Sequence, residues 1–162
     1  MRVIGFDPGL SATGFGVIES DNQKNIHHVV NGVLRPPRKM KLPERLNYLY
    51  KTSMDLVKMH KPGALAIEDT FYHKNIKSAM SLGQAKGTLL LVGAHVEIPC
   101  IEFAPRKVKL SVVGNGAASK EQVNFMICKL LNLKGGTIPN DASDALAIAL
   151  CYIHQIKFTS ND

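Results

Sequence analysis

Cysteine and acidic residues are scarce in this chain, and it has no long hydrophobic run. Its three cysteines lie far apart in apolar surroundings, without the paired spacing of a metal site. That pattern argues against a zinc module and favours reduced thiols in the core. No run approaches the ~20 apolar residues of a spanning helix, and no basic segment leads into an apolar signal region. We therefore expect a cytoplasmic protein that does not enter a membrane.

The hydrophobic pattern predicts one mixed α/β domain over residues 1–158, followed by a short tail at 159–162. Three short strands come first, and helices then alternate with two further strands, without an internal repeat. The predicted strands are 3–7, 13–19, 26–34, 64–68 and 98–103; the predicted helices are 42–60, 76–95, 105–112, 119–131 and one starting at 140.

Two of the predicted strands end in a carboxylate. Asp7 follows the apolar residues of the first strand and precedes the turn Pro8-Gly9, and Glu68 ends the strand 64–68 in the same way. An acid at the end of a buried strand is costly unless backbone N–H groups or a cation compensate it. Asp7 could merely cap its turn, but the repetition at Glu68 favours a shared site.

A second pair of acids begins the last predicted helix. Asp141 and Asp144 are three residues apart and share one helix face. Acids in a first turn also complement the helix dipole, which explains one of them better than both. If the strands of Asp7 and Glu68 are neighbours and this helix crosses their ends, four carboxylates converge.

Four converging carboxylates require a cation. Two like charges 4 Å apart repel by about 4 kcal/mol at an effective dielectric constant near 20. Oxygen ligands without histidine or cysteine favour Mg²⁺, or Mn²⁺, over zinc. Two such ions, about 4 Å apart in an acidic site, catalyse phosphoryl transfer. The pattern thus favours a metal-dependent nuclease.

The overall charge points to a nucleic-acid partner. The chain has 20 Lys and Arg against 13 Asp and Glu, a formal net charge of +7. If four acids occupy one site, nine remain against those 20 cations. Such a surface favours a polyanion, most simply nucleic acid, although a generic basic protein remains an alternative.

Several motifs, in order along the chain, resemble those of the RuvC family of crossover junction endodeoxyribonucleases. They are Ile-Gly-Phe-Asp-Pro-Gly-Leu-Ser-Ala-Thr-Gly-Phe-Gly-Val-Ile (4–18), Ala-Ile-Glu-Asp-Thr-Phe (66–71), Asn75 with the segment 78–87, the segments 104–109 and 112–116, and Asp-Ala-Ser-Asp-Ala-Leu-Ala-Ile-Ala (141–149). The resemblance implies a ribonuclease-H-like fold with a central mixed five-stranded sheet flanked by helices. It also implies resolution of four-way Holliday junctions by paired symmetric nicks that leave 5′-phosphate ends.

The resemblance also assigns roles and partners. It implies that Asp7, Glu68, Asp141 and Asp144 are catalytic and bind two Mg²⁺ ions. By the same likeness, DNA contacts are expected from Phe71, Lys109 and Lys120. The implied assembly is a homodimer formed through the helix 76–95, with the branch-migration proteins RuvA and RuvB as partners.

Two other functions fit parts of the sequence. A non-catalytic module of the same fold would bind junctions through the basic surface and tolerate loss of the acids. Alternatively, Asp7-Pro-Gly followed by Thr13-Gly also resembles the phosphate-binding turns of actin-like and sugar-kinase ATP-binding domains. Those proteins use two such domains, whereas one is predicted here.

Overall fold

Five strands form one mixed sheet in this computed structural model, which describes residues 1–21, 25–69, 75–135 and 137–159. The strand order is β3-β2-β1-β4-β5. The first three strands pair antiparallel, and β1, β4 and β5 run parallel. The strands are β1 (Arg2–Asp7), β2 (Thr13–Asp21), β3 (Asn25–Leu34), β4 (Ala64–Glu68) and β5 (Cys100–Phe103).

Helices cover both faces of the sheet. On one face, α1 and α2 pack against an apolar cluster that includes Ile4, Phe6 and Ile67. The other face carries α5, and α3 and α4 pack against that helix in turn. The helices are α1 (Leu42–His60), α2 (Ile76–His95), α3 (Pro105–Val113), α4 (Lys120–Leu130) and α5 (Asn140–Thr159).

The side-chain alternation of β1 determines which face each residue serves. Ile4 and Phe6 pack toward α1 and α2, whereas Val3 belongs to the cluster beneath α5. Since alternate residues share a face, Gly5 and Asp7 lie on the α5 side. Asp7 is therefore directed toward the helix that carries the other predicted acids.

Glycines let α5 lie unusually close to the sheet. A Cβ atom on Gly5 would come within 2.1 Å of the carbonyl oxygen of Ala145. One on Gly14 would lie 1.8 Å from the carbonyl oxygen of Asp141. Only residues without a side chain fit at these contacts, so glycine at both positions allows the first turns of α5 to rest directly on β1 and β2.

The predicted fold class is confirmed. Helices α1 and α2 and strand β4 occupy the predicted residues, and the other elements differ by small shifts at their ends. The largest shifts are of two residues: β2 continues to Asp21 rather than ending at residue 19, and β5 begins at Cys100 rather than at residue 98. None of the helices within the described part of the chain is long and apolar enough to cross a membrane.

Candidate active site

Asp7 and Glu68 are adjacent at one edge of the sheet. Strands β1 and β4 run parallel, and their paired positions extend to Phe6 and Ile67. Each carboxylate is the next residue along its strand, so both emerge at the same carboxyl edge. This adjacency fulfils the condition on which the predicted convergence of the acids depends.

Helix α5 brings the other pair of acids to this edge. The position opposite Asp7 on β2 is Gly14, against which the backbone of Asp141 rests. Asp144 is one turn further along the helix, and its side chain retains 19% of its exposure. The close packing at Gly14 is therefore what positions the first turn of α5 beside the strand ends.

A pocket of about 180 Å³ joins three of the four acids. Asp7, Glu68 and Asp144 line it, together with the lysines Lys109 and Lys120. Asp141 lies beside this group but not in the pocket lining, and its side chain is 37% exposed. The structure thus brings together six of the seven predicted site residues, four of them acids.

Burial and mutual repulsion raise the pKa of Asp7 from an ordinary 3.8 to about 8. Loss of water is the main cause, and the nearby carboxylates of Glu68 and Asp144 add to it. The pKa of Glu68 is raised by the same two effects, burial first and then Asp144. These carboxylates are close enough to resist simultaneous ionisation, as expected for oxygen ligands that share a cation.

Two cations from different elements contact the acids of α5. Lys120, at the start of α4, donates a hydrogen bond from Nζ to Oδ2 of Asp144 at 2.9 Å. Arg35, just after β3, places its Nη2 3.7 Å from Oδ2 of Asp141. The bond to Asp144 raises the pKa of Lys120. The positive charge of Lys120 in turn offsets part of the rise in the pKa of Asp7 and of Glu68.

The donor set fits a hard divalent ion. Within the described residues, no group of three or more acids, histidines or cysteines is arranged so that it could already hold a metal ion. The acids around the pocket nevertheless supply only oxygen ligands, and Asp7 and Glu68 gain most from a cation because burial disfavours their charges. A divalent ion would compete with Lys120 for Asp144.

The structure also reveals contacts that the sequence analysis missed. Arg35 was not predicted at the site, although its position directly after β3, at the edge where β1 ends, could have indicated it.

On the other face of the sheet, Lys86 of α2 forms ion pairs with Asp69 and Glu102, the former at 2.8 Å. Asp69 is therefore held on the α2 side, away from the acids of the pocket. Phe71 lies outside the described residues.

The raised pKa of Asp7 predicts how stability depends on pH. In EDTA, the free energy of unfolding should fall as pH rises from about 4 to about 8, because folded Asp7 keeps a proton that unfolded Asp7 loses. At about 1.4 kcal/mol per pKa unit, this loss is on the order of 5 kcal/mol. Urea unfolding at several pH values tests it. Asp7→Asn removes the titration, so an identical pH slope in both proteins would contradict the assignment.

Comparison with known proteins identifies the family. A family model described as "Crossover junction endodeoxyribonuclease RuvC" matches residues 3–152. A relative of that name from Hyphomonas neptunium is 42% identical over 156 residues, covering 96% of this chain and 92% of its own. The RuvC of Dehalococcoides mccartyi is 41% identical over 160 residues, covering 99% and 95%.

A solved structure agrees with these matches. "T. thermophilus RuvC in complex with Holliday junction substrate" superposes with a TM-score of 0.92 at 28% identity, covering 99% of this chain and 97% of that one. The match of a family model to nearly the whole chain and the close likeness of the fold lead to one conclusion. The chain belongs to the RuvC family of crossover junction endodeoxyribonucleases.

Proposed function

We propose that this protein is a metal-dependent endonuclease that resolves four-way Holliday junctions during recombination and repair. It cuts two opposing strands symmetrically and leaves 5′-phosphate ends. The observation that carries the proposal is the pocket in which Asp7, Glu68 and Asp144 meet Lys109 and Lys120. Acids there can hold cations, and lysines can hold the phosphate of a DNA strand.

In this proposal Asp7, Glu68, Asp141 and Asp144 hold two Mg²⁺ or Mn²⁺ ions. Such ions, when bound, supply Lewis acidity and lower the pKa of water at the scissile phosphate. The protein contributes the positions of the ligands. Asp7 and Glu68 are fixed by paired strands, and Asp141 and Asp144 by a helix seated on glycines.

The two lysines act on the substrate rather than on the fold. Lys109 of α3 lies close enough to Glu68 to lower its pKa, and Lys120 contacts Asp144 directly. Each ammonium group thus lies at the rim of the acidic cluster. There it offsets the repulsion between the carboxylates and an incoming phosphate, and it donates hydrogen bonds to the phosphate oxygens. The assignment of Phe71 to base stacking stays a prediction from the family motif.

The decisive experiment is cleavage of an end-labelled mobile four-way junction beside a linear duplex of the same sequence. With Mg²⁺ we expect paired nicks in opposite strands of the junction, none in the duplex, and none with EDTA. Binding without cutting in Mg²⁺ and in Mn²⁺ would instead indicate a non-catalytic junction-binding module. ATP hydrolysis by the pure protein would favour the ATP-binding alternative.

Two symmetric nicks require two active sites, and α2 offers a surface for a homodimer. Its exposed face carries Ile76, Met80 and Leu91, which keep 80%, 62% and 50% of their exposure. Apart from the backbone of α2 itself, no atom of the described residues lies within 4 Å of where a Cβ on Gly83 or Gly87 would stand, so a second helix could approach closely there. The proposed dimer forms through this face. RuvA and RuvB are the proposed branch-migration partners.

Light scattering tests the dimer. We expect a mass near twice the 17.7 kDa of one chain. Met80→Glu should give a monomer, because it places a charge in the apolar contact. Met59→Glu is the matched control, since Met59 is also exposed, at 71%, but lies on α1. A wild-type monomer at micromolar concentration, or equal masses for the two variants, would refute this interface.

A further inference from the structure

The segment 35–41, which we call the basic loop, concentrates positive charge beside the pocket. It reads Arg-Pro-Pro-Arg-Lys-Met-Lys, and all four of its cationic residues are exposed. Glu44, the nearest acid along the chain, accepts a hydrogen bond from the backbone N–H of Lys41 at 2.7 Å. The loop therefore offers several cationic groups to solvent over a short distance.

Arg45 holds the basic loop in place. Its guanidinium donates to the carbonyl oxygens of Met40 at 2.9 Å, Arg38 at 2.8 Å and Leu10 at 3.2 Å. The first two acceptors belong to the loop, and the third lies in the turn that follows Asp7. The Arg45 side chain thus ties the loop to the turn that leads away from Asp7 and the pocket. Two consecutive prolines further restrict the loop's conformations.

With the basic loop, cations lie on both sides of the acids at the carboxyl ends of the strands. Arg35 contacts Asp141 on the β3 side, and Lys109 acts on Glu68 on the β4 side. The row of acids between them is thus flanked by cations at both ends. Lys109 was predicted from the family motif, whereas nothing had assigned a role to the opposite end.

The surface beyond Arg35 continues this charge. A groove of about 650 Å³ runs between the basic loop and α1, and its lining includes two lysines, Lys39 and Lys51, against one acid, Glu44. A DNA strand that left the pocket on the β3 side would meet Arg35 first and then the remaining cations of the loop. Repeated contact with phosphates is the arrangement that positions a nucleic acid without reading its sequence.

We propose that the basic loop binds backbone phosphates of the DNA strand that leaves the active site on the β3 side. This inference rests on the proposed junction-resolving function and adds a second anchoring point to it. With Lys109 and Lys120 at one end of the acids and the loop at the other, the scissile phosphate is held between two fixed contacts. Arg45 is a positioning residue that fixes the loop.

Salt dependence of binding tests the loop directly. Arg38→Ala/Lys39→Ala removes two exposed cations outside the acidic cluster. The matched control is Lys129→Ala/Lys134→Ala, because both residues are exposed and lie in the last turn of α4 and just after that helix. Junction affinity is measured in EDTA over a range of salt concentrations. Each lost phosphate contact lowers the slope of log K against log salt by about 1. We expect the loop variant to lose about 2 and the control none.

The slope translates into an observable difference in affinity. Between about 50 and 200 mM salt, the wild-type affinity should fall roughly tenfold more than that of the loop variant. Equal slopes for the loop variant and the control, with both proteins melting like wild type, would overturn the inference. Because this measurement needs no cleavage, it is separate from the proposed function, which fails if the wild-type protein cuts no junction in Mg²⁺.

Discussion

Asp7→Asn should abolish junction cleavage while junction binding survives or improves. Asparagine keeps the shape of the neutral acid but cannot supply the negative charge that a divalent ion needs at the buried centre of the pocket. Losing several kcal/mol of stabilisation in the transition state lowers the rate by about 10³-fold or more. Binding gains because one charge that repels phosphate is removed. Single-turnover cleavage and gel-shift titration of the same junction measure the two effects.

The control for Asp7→Asn is Asp55→Asn, which removes an exposed acid of α1. It should leave both cleavage and binding near their wild-type values. The opposite responses of rate and affinity separate a catalytic role from a structural one, because a misfolded protein would lose both. If Asp7→Asn cut at the wild-type rate, the acidic pocket would not be the active site.

The same substitution links catalysis to stability. Asp7 is ionised at a cost because its carboxylate is buried next to Glu68 and Asp144. In EDTA at pH 8, Asp7→Asn should therefore melt at a higher temperature than wild type, and the difference should shrink toward pH 4. A buried carboxylate that costs stability, as Asp7 does, is typical of a functional site, and here the proposed gain is binding of the metal ion.

The acids could be found from the sequence because their positions follow simple rules. Asp7 and Glu68 end apolar strands, and Asp141 and Asp144 share one face of a helix. Such patterns depend on local periodicity, which the chain displays clearly. The order of the strands does not follow from periodicity, so the adjacency of β1 and β4 could be stated only as a condition.

Long-range polar contacts could not be predicted in this way. Arg35 and Asp141 are more than a hundred residues apart, and the three acceptors of Arg45 lie in two separate segments. Lys86 likewise binds acids from two different strand ends. An exposed Arg or Lys has many possible partners, and only the packed tertiary structure selects among them.

Close backbone packing was also invisible in the sequence pattern. The glycines of the first two strands read as ordinary small residues, yet Gly5 and Gly14 each lie directly against the backbone of α5. Glycine weakens a β-strand, so Gly5 and Gly14 lower the intrinsic stability of β1 and β2. The close packing of α5 against these two strands offsets that loss. The contact that it permits determines how far Asp141 and Asp144 stand from Asp7.

Gly14→Ala should therefore disrupt both the fold and the site. The new Cβ would lie 1.8 Å from the carbonyl oxygen of Asp141 and 2.3 Å from its carbonyl carbon, so the helix backbone must move. We expect a loss of about 3 kcal/mol or more in the free energy of unfolding, at the upper end of what overpacking costs. Any folded fraction should cleave at least about 100-fold more slowly, since a displacement near 1 Å can cost that much.

Alanine substitutions at two other glycines serve as controls with smaller expected effects. Gly16→Ala places its Cβ 2.6 Å from Cδ2 of Leu146 and 3.0 Å from its backbone N, so less of the helix backbone must move and the effect should be smaller than that of Gly14→Ala. At Gly63 the nearest atoms are 3.8 Å away, and Gly63→Ala should be nearly neutral. Melting temperature and junction cleavage should fall in the order Gly63, Gly16, Gly14. A Gly14→Ala protein with wild-type stability and cleavage would show that α5 is not seated on β2 in this way, and the arrangement of the acids would need another explanation.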